Sequence, residues 1–376
     1  MKQSINFLLY NPNFINGAGA TTRILSIINH LQKRYDIKIY IFLSFNRLIK
    51  ILFSPSFRNS FYNSLRTRKV YFLFVFAPLF RLYRLDYMLI RFYNTILNIR
   101  DSVIQCETEI PGFLSEALKD FNNKIILDKH GLIYEETKYK WANSKYDKSK
   151  KIEQIREIEV ASHNNSDLII CVSHSFRKVL KERYNYDKKI LVLPMLINHR
   201  RNFFDKSARK RIREELGIND KLVIVYSGSM SKYQKFDEMV NFFCNLHSKK
   251  SNSFFLILSQ SQFHSDISQA LKLRGIDKEN YHLCQVSHNQ VNDYLSSSDM
   301  GLLFRENIIL NNVASPTKFL EYLSAGVYPI ISSKIGDTEK IISEMNYGFV
   351  SNNLHFSNKV DEIINDYEIK IHKREE

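Results

Sequence analysis

Short apolar runs alternate with longer stretches of helical period along this chain, and the alternation occurs in two successive blocks. In the first block the runs are Ile5 to Tyr10, Ile37 to Leu43, Ser102 to Cys106, Lys124 to Leu127, Leu168 to Val172 and Lys189 to Leu193. In the second they are Val223 to Tyr226, Phe254 to Leu258, Tyr281 to Val286, Met300 to Phe304 and Tyr328 to Ser333. The runs are too short for buried helices, and the segments between them carry apolar residues three and four apart, as in Ile24, Ile27, Ile28 and Leu31. Strand, helix, strand in this order builds parallel sheets with helices on both faces. The predicted fold class is therefore α/β, with two doubly wound Rossmann-like domains facing each other across a cleft. A chain of 376 residues is long for one core and suits two domains. Asn198 to Asp220, rich in Arg and Lys, reads as a linker with a connecting helix, and the division is placed at 1–200 and 201–376.

In doubly wound sheets ligands lie beyond the carboxyl ends of the strands. Four loops have that address: Gly17 and Gly19 after the first strand, His130 after Lys124 to Leu127, Gly228 and Ser229 after Val223 to Tyr226, and the segment from Ser315. That last segment, Ser315 to Pro329, reads SPTKFLEYLSAGVYP. Ser315 is the expected cap of a short helix, Pro316 suits its first turn and Gly326 its stop. The backbone amides of a helix start, with Lys318 in the first turn and Glu321 one turn on, form an anion site next to a carboxylate able to accept sugar hydroxyls. His130 reads either as a site residue or as a structural histidine. The glycine loop at 17–19 is not the dinucleotide fingerprint, because position 22 is Thr22.

The formal charge of +15 calls for a polyanionic partner: nucleic acid, an acidic membrane surface or phosphorylated substrates. No RNA- or DNA-binding motif occurs, so nucleic acid is not expected. Between residues 46 and 100, Arg47, Lys50, Arg58, Arg66, Arg68, Lys69, Arg81, Arg84, Arg91 and Arg100 face one acid, Asp86, with aromatics between them. This stretch reads two ways, as an anionic-membrane contact or as a core strand at Val70 to Phe76 followed by a helix with a solvated arginine face. No run reaches membrane-span length, and Met1 to Tyr10 is too short for a signal peptide. Cys106, Cys171, Cys244 and Cys284 are widely spaced, without metal-binding pairs, and read as free thiols in a reducing cytoplasm. The tail after Tyr367 reads as a frayed helix.

Six segments in chain order resemble a retaining GT-B glycosyltransferase of the large bacterial family that builds polysaccharides and lipopolysaccharides (group 1, family 4). They are NGAGATTR, ILDKHGLIYEE, SDLIICVSHSFRKVLKERY, VIVYSGSMSKYQ, VSHNQVNDYLSSSDMGLLF and SPTKFLEYLSAGVYPII, while PMLIN at Pro194 departs from the family's P-N-G-V-D hinge. The resemblance implies an N-terminal acceptor domain and a C-terminal nucleotide-sugar domain. It implies catalytic roles for His130, Glu321 and Lys318. Donor contacts would come from Gly17, Gly19, Gly228, Ser229, Lys232, Ser315, Thr317, Lys318 and Glu321, with the strand edge around Val286 meeting the base. The donor would be UDP- or GDP-linked, and the acceptor a lipid-linked or polysaccharide glycan. No metal and no further cofactor are implied, and the location would be the cytoplasmic face of the cell membrane. A catalytically inactive binding module of the same fold is the alternative. Departures are plain: Ser229 and Gln234 stand where the family often has Arg and Lys, and Val313 where it has the first glutamate of a pair. Glu306, or the backbone of Asn311, Asn312 and Val313, is the expected substitute for that glutamate, and Lys232, Lys235 and Lys318 for the missing cations.

Overall fold

The computed structural model describes residues 3–12, 19–55, 59, 68–76, 83–142, 144, 146–352 and 359–375. The chain forms two compact units, Met1–Met195 and Leu196–Glu376, divided a few residues before the expected 200.

The first unit is a parallel sheet of β1 (Ser4–Tyr10), β2 (Asp36–Leu43), β3 (Lys69–Phe74), β4 (Val103–Glu107), β5 (Lys124–Lys129), β6 (Leu168–Cys171) and β7 (Ile190–Val192). Their order is β3-β2-β1-β4-β5-β6-β7. The second unit holds β8 (Leu222–Ser227), β9 (Ser253–Leu258), β10 (Tyr281–Cys284), β11 (Met300–Leu303), β12 (Tyr328–Ser332) and β13 (Phe349–Ser351), in the order β10-β9-β8-β11-β12-β13. In each sheet the winding direction reverses once, between β1 and β4 and between β8 and β11, and a doubly wound sheet binds ligands beside such a reversal.

Local chemistry explains the elements. In β9 all six residues of SFFLIL are buried, as a central parallel strand requires. Helix α1 (Gly19–Leu31) buries Ile24, Ile27 and Ile28 in one cluster with Phe7, Ile39 and Ile41. In the second unit Tyr226, Phe243, Phe255 and Tyr328 fill the corresponding core.

Three expectations change. The helix read over Lys138 to Val160 is two helices, Ile133–Trp141 and Ser149–Asn165. Between them Asp147 turns back on the chain, its carboxylate accepting the Ser149 amide at 2.8 Å, a local bond that competes with helix continuation. The C-terminal tail is anchored: helix Val360–Lys370 buries Val360, Ile363, Ile364 and Tyr367, and a 3-10 turn follows over Ile371–Glu375. Arg374 in that turn donates to Asp299 (2.9 Å), the Gly326 carbonyl (3.1 Å) and the Tyr367 hydroxyl (3.0 Å). Asp299 also receives Arg209, Arg213 and the Val223 amide. Burial raises its pKa, but the three guanidiniums outweigh that and hold it below the usual carboxylate range. Third, Ser315 is not the helix cap, as described below.

Over 46–100 the described residues form a helix (Phe45–Phe53), edge strand β3 and a second helix (Tyr83–Leu97). Arg58, Arg66 and Arg81, and residues 77–80 of the apolar run, lie outside the described residues. Both helices leave apolar side chains in solvent: Phe53 is 79% exposed, Met88 67% and Ile96 72%. Among the described residues no helix is long and apolar enough to cross a membrane.

Candidate functional site

Each unit gathers charged side chains at the carboxyl ends of its strands. In the first, β4 and β5 run in parallel register with Glu107 opposite Asp128, which sets two carboxylates side by side. Both are buried, at 3% and 0% exposure. Alternation along β5 sends Asp128 and His130 to one side and Lys129 to the other. On the first side Arg23 of α1, itself fully buried, grips Asp128 with two donors at 3.1 and 3.2 Å, and its Nη1 donates to the carbonyls of Leu193 and Pro194. His130 Nε2 lies 3.3 Å from Glu107 and 3.8 Å from Asp128. Burial pulls the His130 pKa down, but Glu107 and the charge of Asp128 outweigh it, so the ring holds its proton above its ordinary range. On the other side Lys129 bonds Glu109 (2.6 Å) and Glu159 (3.0 Å), and the Tyr184 hydroxyl donates to Glu159 at 2.6 Å.

Donor atoms of Glu107, Asp128 and His130 lie within 4.8 Å of one another, a spacing that could hold a metal ion. Arg23 already sets a cation on both oxygens of Asp128, so the cluster is built as an ion-pair network.

In the second unit the segment from Ser315 forms helix Thr317–Ser324. Pro316, with extended backbone (φ −72°, ψ 121°), occupies the cap position and no side chain caps the turn. The residue before a proline is disfavoured from helical backbone, which moves the start past Ser315. Thr317 and Lys318 therefore open the helix, where amides lack intrahelical acceptors. Gly326 ends it with φ +67°, its amide bonded to Leu323 and that of Val327 to Tyr322, the double bond of a glycine-terminated helix.

Lys318 projects to the end of β8. A Cβ on Gly228 would lie 2.0 Å from Lys318 Nζ and 2.8 Å from the Tyr226 hydroxyl, so a side chain there would displace the ammonium. Lys318 donates to Gln234 Oε1 at 3.0 Å, while Gln234 Nε2 donates to Ser229 Oγ at 2.7 Å. Tyr226 lies under the ammonium, 5.4 Å from its ring centroid, with its hydroxyl 2.5 Å from Gln234 Oε1. Gln234, a departure in the sequence, is thus the neutral partner that holds Lys318. Burial lowers the Lys318 pKa to about 7, Arg305 adds to the fall, and Glu321 opposes it. Burial raises that of Glu321 against the pull of His288 and Lys318. Arg305, stacked on Tyr233 at 5.0 Å, was not singled out in the sequence, nor were Glu107, Asp128 and Tyr226. The acids that end the strands VIQCE and IILDK were the available signal for Glu107 and Asp128.

The other expected residues divide. Gly17 lies outside the described residues, and Gly19 opens α1. Lys232 is exposed in a 3-10 turn, and Lys235 pairs loosely with Glu306 at 3.9 Å. Neither is shown at the Lys318 cluster. Val313 is buried, and Val286 packs on the core two residues beyond β10.

Residues 17–201 match the family model described as Glycosyltransferase Family 4, and residues 208–375 the one described as Glycosyl transferases group 1. No curated protein matches the sequence. Among solved structures, HepE of Anabaena in complex with UDP superposes with a TM-score of 0.71 at 12% identity, over 100% of this chain and 93% of that one. Sucrose-phosphate synthase of Thermosynechococcus elongatus gives 0.68 at 13% identity, over 100% and 93%. WaaG, a glycosyltransferase involved in lipopolysaccharide biosynthesis, gives 0.64 at 13%, over 99% and 92%. At these identities the likeness shows the fold.

Proposed function

Because this chain belongs to the group 1 glycosyltransferases of GT-B fold, we propose that it moves a sugar from a nucleotide donor to a lipid-linked or polysaccharide acceptor with retention of anomeric configuration. One observation carries the donor assignment. Lys318 and Arg305 act on each other and, among the described residues, neither has a carboxylate within ion-pair distance, Glu321 pulling on Lys318 only from further off. Half-buried cations without a direct ion pair are costly unless an anion arrives, and a diphosphate is such an anion. Glu321, one turn along, is the acceptor for ribose hydroxyls. Negative charge grows on the departing diphosphate in the transition state, and Lys318, Arg305 and the helix amides neutralise it without requiring a metal. The UDP and UDP-glucose complexes of HepE favour a UDP-linked donor over a GDP-linked one. The acceptor belongs to the first unit, where His130 serves the reaction.

UDP should raise the melting temperature of the protein, and Glu321→Ala and Lys318→Ala should each remove most of that shift. No shift with either UDP or GDP overturns the donor assignment. An inactive binding module would release no sugar from any donor; slow donor hydrolysis abolished by His130→Ala excludes it.

The exposed apolar residues of the helices Phe45–Phe53 and Tyr83–Leu97, set among Arg47, Lys50, Arg84 and Arg91, support a contact with an anionic membrane surface, and our reading is of an enzyme that works at the cytoplasmic face in cell-surface polysaccharide synthesis. Binding to phosphatidylglycerol vesicles should fall steeply between low and high salt. Salt-independent binding, or none, removes the membrane from the reading.

A further inference from the structure

Charge at the end of β4 and β5 does not balance without a proton. Two buried carboxylates, Glu107 and Asp128, face one fixed cation, Arg23. Among the described residues the Arg23 bonds go to Asp128 and to the carbonyls of Leu193 and Pro194, and none to Glu107. Glu107 Oε1 receives the neutral Gln105 amide at 2.9 Å, and its Oε2 has no hydrogen-bond partner, only His130 Nε2 at 3.3 Å. Burial and the charge of Asp128 raise the Glu107 pKa, and an imidazolium beside its carboxylate works against that rise. The backbone holds this geometry with a residue in an unfavourable conformation. Thr108, directly after Glu107, sits at φ +75°, which is uncommon for a β-branched residue. That bend ends the strand at Glu107 and lets Glu109 turn away to Lys129.

We propose that Glu107 is a positioning residue for His130: with Gln105 behind it, its carboxylate holds the imidazole as a cation with Nε2 toward the acids, leaving Nδ1 as a hydrogen-bond donor for a substrate oxygen. Nδ1 is buried and, among the described residues, has no partner. A doubly protonated imidazole has no lone pair to take a proton, so His130 acts as a donor and a positive charge, not as a base. The ionisable groups that act on the ring are Glu107 from β4, Asp128 from its own strand, Arg23 from α1 and Glu136 from the helix Ile133–Trp141. The identity of the substrate oxygen rests on the glycosyltransferase reading; the protonation of His130 does not.

The test is a proton NMR titration of the His130 Cε1–H signal in the full chain, assigned with His130→Gln. In the wild type the signal should titrate above pH 6.5, the ordinary value. Glu107→Gln, which keeps the Gln105 contact, should move that point down by about one unit or more. Gln105→Leu, which leaves the carboxylate in place, should move it in the same direction by less and serves if the first variant does not fold. A wild-type ring already neutral at pH 6.5, or a titration point unmoved in both variants, overturns the proposal. Donor turnover gives an independent reading: it should fall as pH rises through the His130 point, and Glu107→Gln should bring that fall to lower pH. A rate that instead rises through that point would mean His130 is a base. If no donor turns over, the enzyme reading fails, while the titration still decides the role of Glu107.

Discussion

The two strand-end clusters solve opposite electrostatic problems. In the first unit's cluster the charged groups stand in opposed sets: Arg23 with Asp128, Lys129 with Glu109 and Glu159, His130 beside Glu107. In the second, Lys318 rests on neutral groups, the Gln234 amide and the Tyr226 ring, with a second cation, Arg305, acting on it. A compensated cluster holds groups in place, whereas an uncompensated one gains from an anion. On the proposed function, the first cluster positions groups and the second captures the diphosphate.

Removing one charge from each cluster is the strongest way to break this contrast. Asp128→Ala leaves a fully buried guanidinium unpaired and should cost about 3–5 kcal/mol of stability. Lys318→Met removes a cation that has no acid partner, so its melting temperature should stay within a few degrees of wild type. Its UDP affinity should still fall roughly 10- to 100-fold, as expected for a charge-assisted hydrogen bond. Denaturant melts and calorimetric titrations of both variants decide the matter; equal destabilisation by the two would erase the distinction.

A smaller effect concerns pH. With its pKa lowered to about 7, Lys318 is largely neutral above that value in the empty site. A bound diphosphate raises the pKa, so binding above pH 7 takes up a proton. UDP affinity should be level in this respect below about pH 7 and weaken above it by at most tenfold per unit. Lys318→Met should flatten that slope, whereas Lys232→Ala, in an exposed turn, should leave both slope and affinity nearly unchanged. A wild-type affinity constant from pH 7 to 9 contradicts the assignment.

Much of the fold was legible along the chain. Most strands are legible because a parallel strand buried on both faces needs an unbroken apolar run, and VIVY, FFLIL and MGLL are such runs; β13, only three residues long, was not among those expected. The stop at Gly326 was readable because a left-handed residue at a helix end calls for glycine. The start at Ser315 was misplaced because serine and proline each suit two neighbouring positions, and only the observed backbone separates them. The break near residue 147 was missed because a side-chain bond to Ser149 outcompeted a weak helical pattern.

The site divides along the same line. Local pattern placed His130 at a strand end and Lys318 in a helix first turn, since both addresses depend on a few adjacent residues. The partners of these residues come from far along the chain. Arg23 reaches Asp128 across 105 positions, Gln234 reaches Lys318 across 84, and Arg374 reaches Asp299 across 75. Strand and helix periodicity has a range of a few residues and carries no information about such pairs. Sheet order and register bring them together, and with them the surroundings that the proposals for His130 and Lys318 rest on. The chain specifies which groups stand at the strand ends; the packing of the sheet decides which charges meet a counter-charge and which rest on neutral groups.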